Sequence, residues 1–318
     1  MTINTTHLGG TASDIVVGRI SHGLMHSDDE VSFASIKAGV DRLPPGAKMI
    51  LNSALAAQNL EMLGRFFARY PEYAEKTTIM EPDCSMEGMR RSIDTIEHAL
   101  GPHKKMDAFQ PARIDPKVSI EKMMANLVVL LKEGHFSHIG LSECGADTLR
   151  RAHAIHPITV AEIEVSLTSY ETETKRVIET ARELGISVLA YSPVAHGLLS
   201  GTIKSIADVP ENDFRRRLDR FQAGNIEHNL DIVSILPKIA AENGVTQAQI
   251  AIAWVASLGP HVIPLPGSSV VERTLENCAA GDIELSAEEI KVLNAIAEGG
   301  EVKGARYFGG NEEAYFWG

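Results

Sequence analysis

Cysteine, basic residues and long apolar runs are all scarce in this sequence. The three cysteines, Cys84, Cys144 and Cys278, form no CxxC spacing, which predicts reduced thiols rather than a disulfide framework. Lys and Arg number 30 against 42 Asp and Glu, a formal net charge of −12 that disfavours a nucleic-acid partner. No apolar run approaches the roughly 20 residues that span a membrane. The sequence therefore predicts a soluble, cytoplasmic protein with neither kind of partner.

Several motifs that carry specific chemistries are also missing. The twelve histidines show no HExxH or HxH spacing, so no metal site is predicted. There is no GxxxxGK[ST] phosphate loop and no GxSxxG-type nucleophile elbow. The first 18 residues lack a basic segment followed by an apolar one, so no signal peptide is expected. The remaining class is a protein that binds a small-molecule substrate or ligand, with an oligomeric state that the sequence does not specify.

What the sequence does contain is a regular alternation of two patterns. Amphipathic stretches of helical period, such as 28–42, 85–100, 119–133 and 171–184, separate apolar, β-branched runs. Eight such units over 318 residues predict an α/β fold, a closed (β/α)8 barrel in one domain covering 1–318, with residues 1–14 and 308–318 as tails. The eight apolar runs lie at 16–25, 47–51, 76–80, 105–110, 137–142, 159–167, 187–192 and 261–266.

Helix boundaries are signalled locally. Ser119 stands three residues before Lys122 and is expected to cap a helix. Ser286 and Glu289 have the spacing of a capping box. Glycines also fall where helices should end, the usual place for a left-handed residue. These glycines are Gly134, Gly185 and Gly244.

Four segments resemble aldo-keto reductases, in particular the yeast-type pyridoxal reductase branch. GLSECGADTLRRAHAIHPI (140–158) is similar to that branch's fifth strand and following helix, and AEIEVSL (161–167) to its next strand. AYSPVAHGLLSG (190–201) resembles the seventh-strand loop, and IPLPGSSVVERTLENCAA (263–280) the NADP-binding signature. The likeness extends from about Ile15 to Tyr307 and implies a barrel whose functional residues lie in the loops after the strands.

The resemblance implies an NADP(H) site, although inherited residues could also persist without a bound cofactor. By the family's pattern Tyr191 would stack on the nicotinamide ring. Ser142, Glu143 and Glu164 would contact its carboxamide. An arginine and a helix start suit the phosphates, because they supply a fixed charge and backbone donors. The remaining implied contacts are Ser192, Leu199 and Gly201 at the pyrophosphate, Gly267, Ser268 and Arg273 at the 2′-phosphate, and Glu276 and Asn277 at the adenine.

The resemblance fails at the family's four catalytic residues, a Tyr, a Lys, a His and an Asp. The Tyr is the general acid, and the Lys lowers its pKa toward working pH. In this alignment Asn52 stands at the Asp position, Ala57 at the Tyr position and Ala112 at the His position. No Lys follows the third strand, and no Tyr lies between Leu24 and Arg69. The reductase machinery is therefore expected to be absent.

The changes gather in the loops after the first three strands, which are shorter than in the resembled branch. Clustered changes favour a reshaped pocket over random decay. The leading hypothesis is a non-redox enzyme of small-molecule or secondary metabolism that promotes an isomerisation, cyclisation or elimination by binding a reactive conformer. Its candidate catalytic residues are His26, Asn52, Gln110, Arg113 and Glu143.

Two other functions stay open. One is an atypical NADPH-dependent carbonyl reductase, and the other a non-catalytic NADP(H) sensor or partner subunit. Glu162 and Glu164 share one face of a strand, so a carboxyl there could have a raised pKa and transfer protons, unless it serves as an ordinary cofactor contact. The aromatic residues Tyr315, Phe316 and Trp317 could fold over the pocket or extend away from it.

Overall fold

An antiparallel hairpin precedes the barrel in the computed structural model, which describes residues 4–25, 28–53, 57–81, 86–115, 117–307 and 317. Strands β1 (Thr5–His7) and β2 (Val16–Gly18) form it, and Leu8, Ala12 and Val17 are buried against the barrel interior. The segment predicted as one strand over 16–25 is therefore two, and residues 4–14 cover the barrel instead of forming a tail. After Gly18 the chain joins the barrel, where the Ser21 N–H donates to the Pro264 carbonyl at 3.0 Å.

Eight parallel strands follow and pair in chain order. The ring closes because β11, which continues the last of them beyond Pro266, pairs with the first. This topology confirms the predicted (β/α)8 barrel. The strands are β3 (His22–Leu24), β4 (Met49–Asn52), β5 (Thr77–Glu81), β6 (Ala108–Phe109), β7 (His138–Ser142), β8 (Val160–Glu164), β9 (Ser187–Tyr191), β10 (Val262–Leu265) and β11 (Gly267–Ser268).

Helices surround the strands, and the four helices predicted by range begin and end within two residues of their expected bounds. Within the described residues, none of the helices combines the length and apolar character needed to cross a membrane. The helices are α1 (Asp29–Asp41), α2 (Ala57–Arg69), α3 (Met86–Leu100), α4 (Ile120–Glu133), α5 (Ala146–Ile155), α6 (Thr172–Leu184), α7 (Asn225–Ile232), α8 (Leu236–Asn243), α9 (Gln247–Ser257), α10 (Val271–Ala279) and α11 (Ala287–Gly299).

The predicted helix boundaries are confirmed by their hydrogen bonds. The Ser119 hydroxyl accepts from the Lys122 N–H at the start of α4, and Ser286 with Glu289 forms a capping box at the start of α11. The three expected terminal glycines are left-handed, with φ of +87° at Gly134, +67° at Gly185 and +66° at Gly244.

The barrel interior changes from apolar to polar along its axis. Its lower part is filled by buried side chains from five strands, of which each Ile, Leu or Val contributes roughly 1.5–3 kcal/mol by leaving water. Because side chains alternate along a strand, the residues two positions further on point into the same space nearer the carboxyl ends. Those residues include Asn52, Gln110 and Glu162. The apolar layer below them consists of Ile50, Ala108, Val160, Leu189 and Ile263.

Candidate functional site

A hydrogen-bonded group of three polar side chains lies at the mouth of the barrel. Glu162 Oε2 accepts from Asn52 Nδ2 at 2.5 Å and from Gln110 Nε2 at 2.6 Å. The three residues belong to β4, to the segment just after β6 and to β8, so the bonds cross the barrel interior. Asn52 and Gln110 are only 3% and 4% exposed. The structure thus brings two predicted candidates, Asn52 and Gln110, onto one carboxylate.

Both amides donate to the same oxygen of that carboxylate. Within the described part of the chain, Glu162 Oε1 accepts no hydrogen bond. Gln110 Oε1 is buried and receives none from the described residues either. A Cβ at position 140 would lie 2.9 Å from Gln110 Oε1, so the glycine at this position makes room for the Gln110 side chain. A proton can therefore sit on Glu162 Oε1 without breaking either amide hydrogen bond.

The surroundings of Glu162 bring its titration to neutral pH. Burial raises the pKa of this carboxyl to about 7, and the negative charge of Glu143 acts in the same direction. Hydrogen bonds from Gln110 and Asn52, and the charge of Arg113, oppose the rise in pKa. Arg113 Nη1 itself donates to the Ala112 carbonyl at 2.5 Å. A carboxyl with a pKa near 7 can both give and accept a proton at neutral pH.

A second group of carboxylates lies beside the first. Glu143 and Glu164 are each 1% exposed, and Glu143 Oε1 accepts from the Glu164 N–H at 2.9 Å. Arg306 Nη1 lies 3.7 Å from Glu143 Oε2 and 4.0 Å from Glu164 Oε2. Burial raises the pKa of Glu143, whereas the Arg306 charge lowers it. This guanidinium offsets the repulsion between the two buried carboxylates.

The C-terminal residues cover this carboxylate pair. Arg306 donates from Nε and Nη2 to the two Glu171 oxygens, both at 3.2 Å. Its guanidinium lies 5.2 Å from the centre of the Trp317 ring, and the Trp317 N–H donates to the Glu143 carbonyl at 2.9 Å. Of the two arrangements left open by the sequence, Trp317 adopts the folded one, while Tyr315 and Phe316 lie outside the described residues.

Sequence reasoning did not identify Arg306. It follows α11 in irregular chain, where neither periodicity nor a motif marks a functional position. Its neighbour Tyr307 was noted only as the end of the likeness, yet its hydroxyl lies 3.2 Å from the Tyr191 hydroxyl. The loop residue His196 packs edge-on against the Tyr307 ring at 6.4 Å, and its buried Nε2 has no hydrogen-bond partner among the described residues.

The implied nicotinamide and pyrophosphate contacts lie in the loops after β7 and β9. Ser142 and Tyr191 end those strands, and Ser192 has a φ of +52°, unusual for a residue with a side chain. Leu199 is fully buried, so no part of its surface is accessible to a ligand in this structure. Gly201 has a φ of +78°, and a Cβ there would lie 2.5 Å from Gln247 Nε2. The loop after β9 therefore requires glycine at that position.

The implied phosphate contacts lie at the start of α10. The Ser268 hydroxyl accepts from the Val270 N–H at 3.3 Å and donates to its carbonyl at 3.0 Å. Arg273 is exposed in the first turn, where no described side chain bonds or pairs with it. Glu272 in the same turn is exposed and partly opposes its charge. An exposed guanidinium at a helix N-terminus suits an anion.

The other implied positions are occupied by contacts within the protein. Gly267 adjoins Met25, whose Sδ would lie 3.0 Å from a Cβ at that position. Glu276 accepts from the Thr246 hydroxyl at 2.6 Å. Asn277 is 6% exposed, so an adenine would meet mainly the exposed surface around it.

Part of the predicted rim cannot be compared with the structure. His26, Cys84 and the shortened loops at 26–27, 54–56 and 82–85 lie outside the described residues. Cys144 and Cys278 are buried free thiols. Among the residues described, no three metal-ligating side chains converge.

Comparison with known proteins places this geometry in context. The family model described as "Aldo/keto reductase family" matches residues 52–298. Aldo-keto reductase str7 of Strobilurus tenacellus is 34% identical over 293 residues, which cover 90% of this chain and 86% of that protein. Aldo-keto reductase yakc [NADP(+)] of Schizosaccharomyces pombe is 35% identical over 243 residues, 76% of this chain and 70% of that protein.

Two solved structures show the same fold at low sequence identity. The glycerol dehydrogenase AKR11B4 of Gluconobacter oxydans matches with a TM-score of 0.79 at 20% identity, over 96% of this chain and 98% of that one. A thermostable aldo-keto reductase in complex with the inhibitor epalrestat matches with a TM-score of 0.71 at 18% identity, over 92% of this chain and 100% of that one. Their likeness concerns the barrel architecture alone.

Proposed function

This chain belongs to the aldo/keto reductase family, and we propose that it is an NADPH-dependent reductase of small carbonyl compounds in which the Glu162 carboxyl donates the proton. The observation that carries the proposal is the pair of amide hydrogen bonds to Glu162 Oε2, which leaves Oε1 available at the barrel mouth. The relative from Schizosaccharomyces pombe is named for NADP(+), which supports the choice of cofactor.

The residues at both ends of the implied dinucleotide site fit NADPH. At the phosphate end, Arg273 and the first turn of α10 present a guanidinium and backbone donors. At the nicotinamide end, Glu143 Oε2 and Glu164 Oε2 are buried acceptors that no described residue hydrogen-bonds, and both suit the N–H groups of a carboxamide. When bound, NADPH supplies the hydride.

The side chains of this protein supply the proton and stabilise the group that loses it. Reduction of a carbonyl leaves an alkoxide, which needs a proton donor within hydrogen-bond reach. Glu162 Oε1–H gives its proton to that oxygen and becomes a carboxylate. Asn52 and Gln110 then stabilise the new charge through their bonds to Oε2, and the nearby charge of Arg113 contributes. Solvent returns the proton before the next turnover.

This assignment accounts for the residues expected at the family's catalytic positions. In the alignment above, Asn52 stands where the family has an Asp, and Ala57 and Ala112 where it has Tyr and His. The Asn52 amide cannot act as an acid, but it donates a hydrogen bond to the Glu162 carboxyl, which can. We infer that the acid has moved from the Tyr position to the opposite side of the barrel, on β8.

A non-redox isomerase, cyclase or lyase remains the second candidate. The buried, unpaired Gln110 Oε1 beside the Glu162 acid favours it, because an acid and a neutral acceptor together can move a proton without any hydride. The named reductases among the relatives favour the redox function. The two candidates differ in a simple requirement, since only the reductase consumes NADPH.

The test is turnover by Glu162→Gln, which keeps the size of the side chain and removes the acid. With a panel of small aldehydes and ketones, we expect kcat to fall by about 10²–10⁴-fold while the NADPH dissociation constant stays unchanged. The exposed Glu72→Gln is the matched control. A variant at Glu162 that keeps the wild-type rate would exclude the acid role. Product formed without NADPH would select the non-redox candidate.

A further inference from the structure

The last described residues of the chain contact the same carboxylates that the dinucleotide would meet. We propose that Arg306 and Trp317, the C-terminal clasp, are positioning residues for the nicotinamide end of the pocket and hold the Glu143 carboxylate in its ligand-facing place. The inference rests on the proposed use of NADPH. It assigns a role to residues that lie outside every motif of the sequence.

The buried carboxylate pair needs a compensating positive charge. Glu143 and Glu164 lie side by side, each 1% exposed, and two such carboxylates repel one another. The Arg306 side chain, 3% exposed, places its Nη1 within 4.0 Å of both. The chain thus supplies from its C-terminal segment a cation that lies against both carboxylates and, at Glu143, opposes the rise in pKa that burial causes.

The backbone at Glu143 is also strained. Glu143 has a φ of +49°, a left-handed conformation that side-chain-bearing residues seldom adopt. Such a conformation persists only where several contacts enforce it. The Trp317 N–H binds the Glu143 carbonyl, while the Glu164 N–H and Arg306 engage its carboxylate. The Glu143 N–H also donates to the Glu162 carbonyl at 2.9 Å, so two of these four contacts come from the clasp.

Glu173 and Trp317 pack closely against Gly145. A Cβ there would lie 3.3 Å from the Trp317 carbonyl oxygen and 3.1 Å from Glu173 Oε1, both closer than ordinary contacts. The φ of Gly145 is −69°, which any residue adopts, so an alanine would meet only this steric conflict. Gly145→Ala therefore requires Glu173 and Trp317 to shift by a few tenths of an ångström, without altering a charge.

The experiment compares two probes by titration calorimetry on the full chain. NADPH reaches both ends of the site, whereas adenosine 2′,5′-bisphosphate carries the 2′-phosphate and lacks a nicotinamide. For Arg306→Met and Gly145→Ala we expect the NADPH dissociation constant to rise about tenfold or more, with the bisphosphate constant unchanged. Arg306→Lys keeps the charge and should recover part of the loss. Arg273→Ala should weaken both probes.

Controls separate positioning from folding. Gly299→Ala introduces the same change where no atom lies near the added carbon. The thermal unfolding of each variant identifies any that fails to fold, and if Arg306→Met fails, Gly145→Ala and Arg306→Lys carry the test. Equal NADPH affinity in those variants, or an equal loss for both probes, overturns the role of the clasp alone. A wild-type protein that binds neither probe overturns the proposed function and the clasp together.

Discussion

Two groups of carboxylates lie within one barrel mouth, and the protein stabilises them by different means. Glu162 is held by the neutral amides of Asn52 and Gln110, while Glu143 and Glu164 share the cation Arg306. Amide donors compensate part of the lost hydration but add no charge, so the acid keeps a pKa near neutrality. A guanidinium adds a full positive charge, which at Glu143 opposes the rise in pKa caused by burial.

The difference separates two chemical tasks. A group that exchanges protons must titrate near the working pH, whereas a group that binds a ligand's N–H should stay an acceptor. Neighbouring carboxylates can serve both tasks only if their surroundings differ. Each of four substitutions removes one element of this contrast.

The largest expected effect follows the loss of the cation. Arg306→Met leaves two buried carboxylates without compensation, so we expect the free energy of unfolding to fall by about 3–5 kcal/mol in urea denaturation at neutral pH. Arg91→Met breaks an exposed pair with Glu87 and should cost no more than about 1 kcal/mol. Equal losses in the two variants would show that Arg306 is not compensating buried charge.

The second effect is a pH dependence of stability at Glu162. The folded-state pKa of about 7 exceeds the ordinary value of 4.5, so the folded protein binds this proton more tightly than the unfolded chain. The contribution to the free energy of unfolding is complete below pH 4.5 and is lost as the pH rises to 7, by up to roughly 3 kcal/mol. Subtracting the stability curve of Glu162→Gln from that of the wild type isolates it. A flat difference would mean that the carboxyl titrates normally.

A smaller effect follows the loss of one amide. Asn52→Ala removes a hydrogen bond that favours the charged carboxyl, so the pKa of Glu162 should rise and the alkaline limb of the kcat–pH profile should move to higher pH. The free energy of unfolding should fall by about 1–3 kcal/mol, since a buried polar group loses a partner. An unmoved pH profile would indicate that Asn52 does not tune the acid.

The smallest effect concerns the edge of the charged group. The Ser169 hydroxyl donates to Glu164 Oε1 at 2.9 Å and accepts from Arg220 Nη1 at 2.6 Å. Ser169→Ala should lower the free energy of unfolding by only about 1 kcal/mol, because Arg306 still lies beside both carboxylates. If Ser169→Ala lowered the free energy of unfolding as much as Arg306→Met, the Ser169 hydroxyl rather than Arg306 would be the main group that stabilises the carboxylates.

The sequence predicted the barrel because its eight strand and helix units follow from periodicity. It named Asn52 and Gln110 as separate candidates and considered Glu162 only together with Glu164, so the hydrogen-bonded group itself was not predicted. Its members come from alternate strands, which only the closed ring brings together. Arg306 could not be predicted in this way, because its partner Glu143 lies 163 positions earlier in the chain. Only the folded path of the C-terminal segment brings them together. Nor did local pattern separate the strand at 16–25 into a hairpin strand and a barrel strand.

The N-terminal hairpin covers one end of the barrel. Leu8, Ala12 and Val17 pack against the apolar layer that includes Ile50 and Val160, at the end of the barrel opposite its mouth. In the described part of the chain, Glu162 therefore lies on the other side of this layer, toward the mouth at which a substrate enters. A ligand that fills the mouth also separates Glu162 from bulk solvent. The protonation state of Glu162 during turnover is therefore set before the ligand binds, while the site is open to solvent.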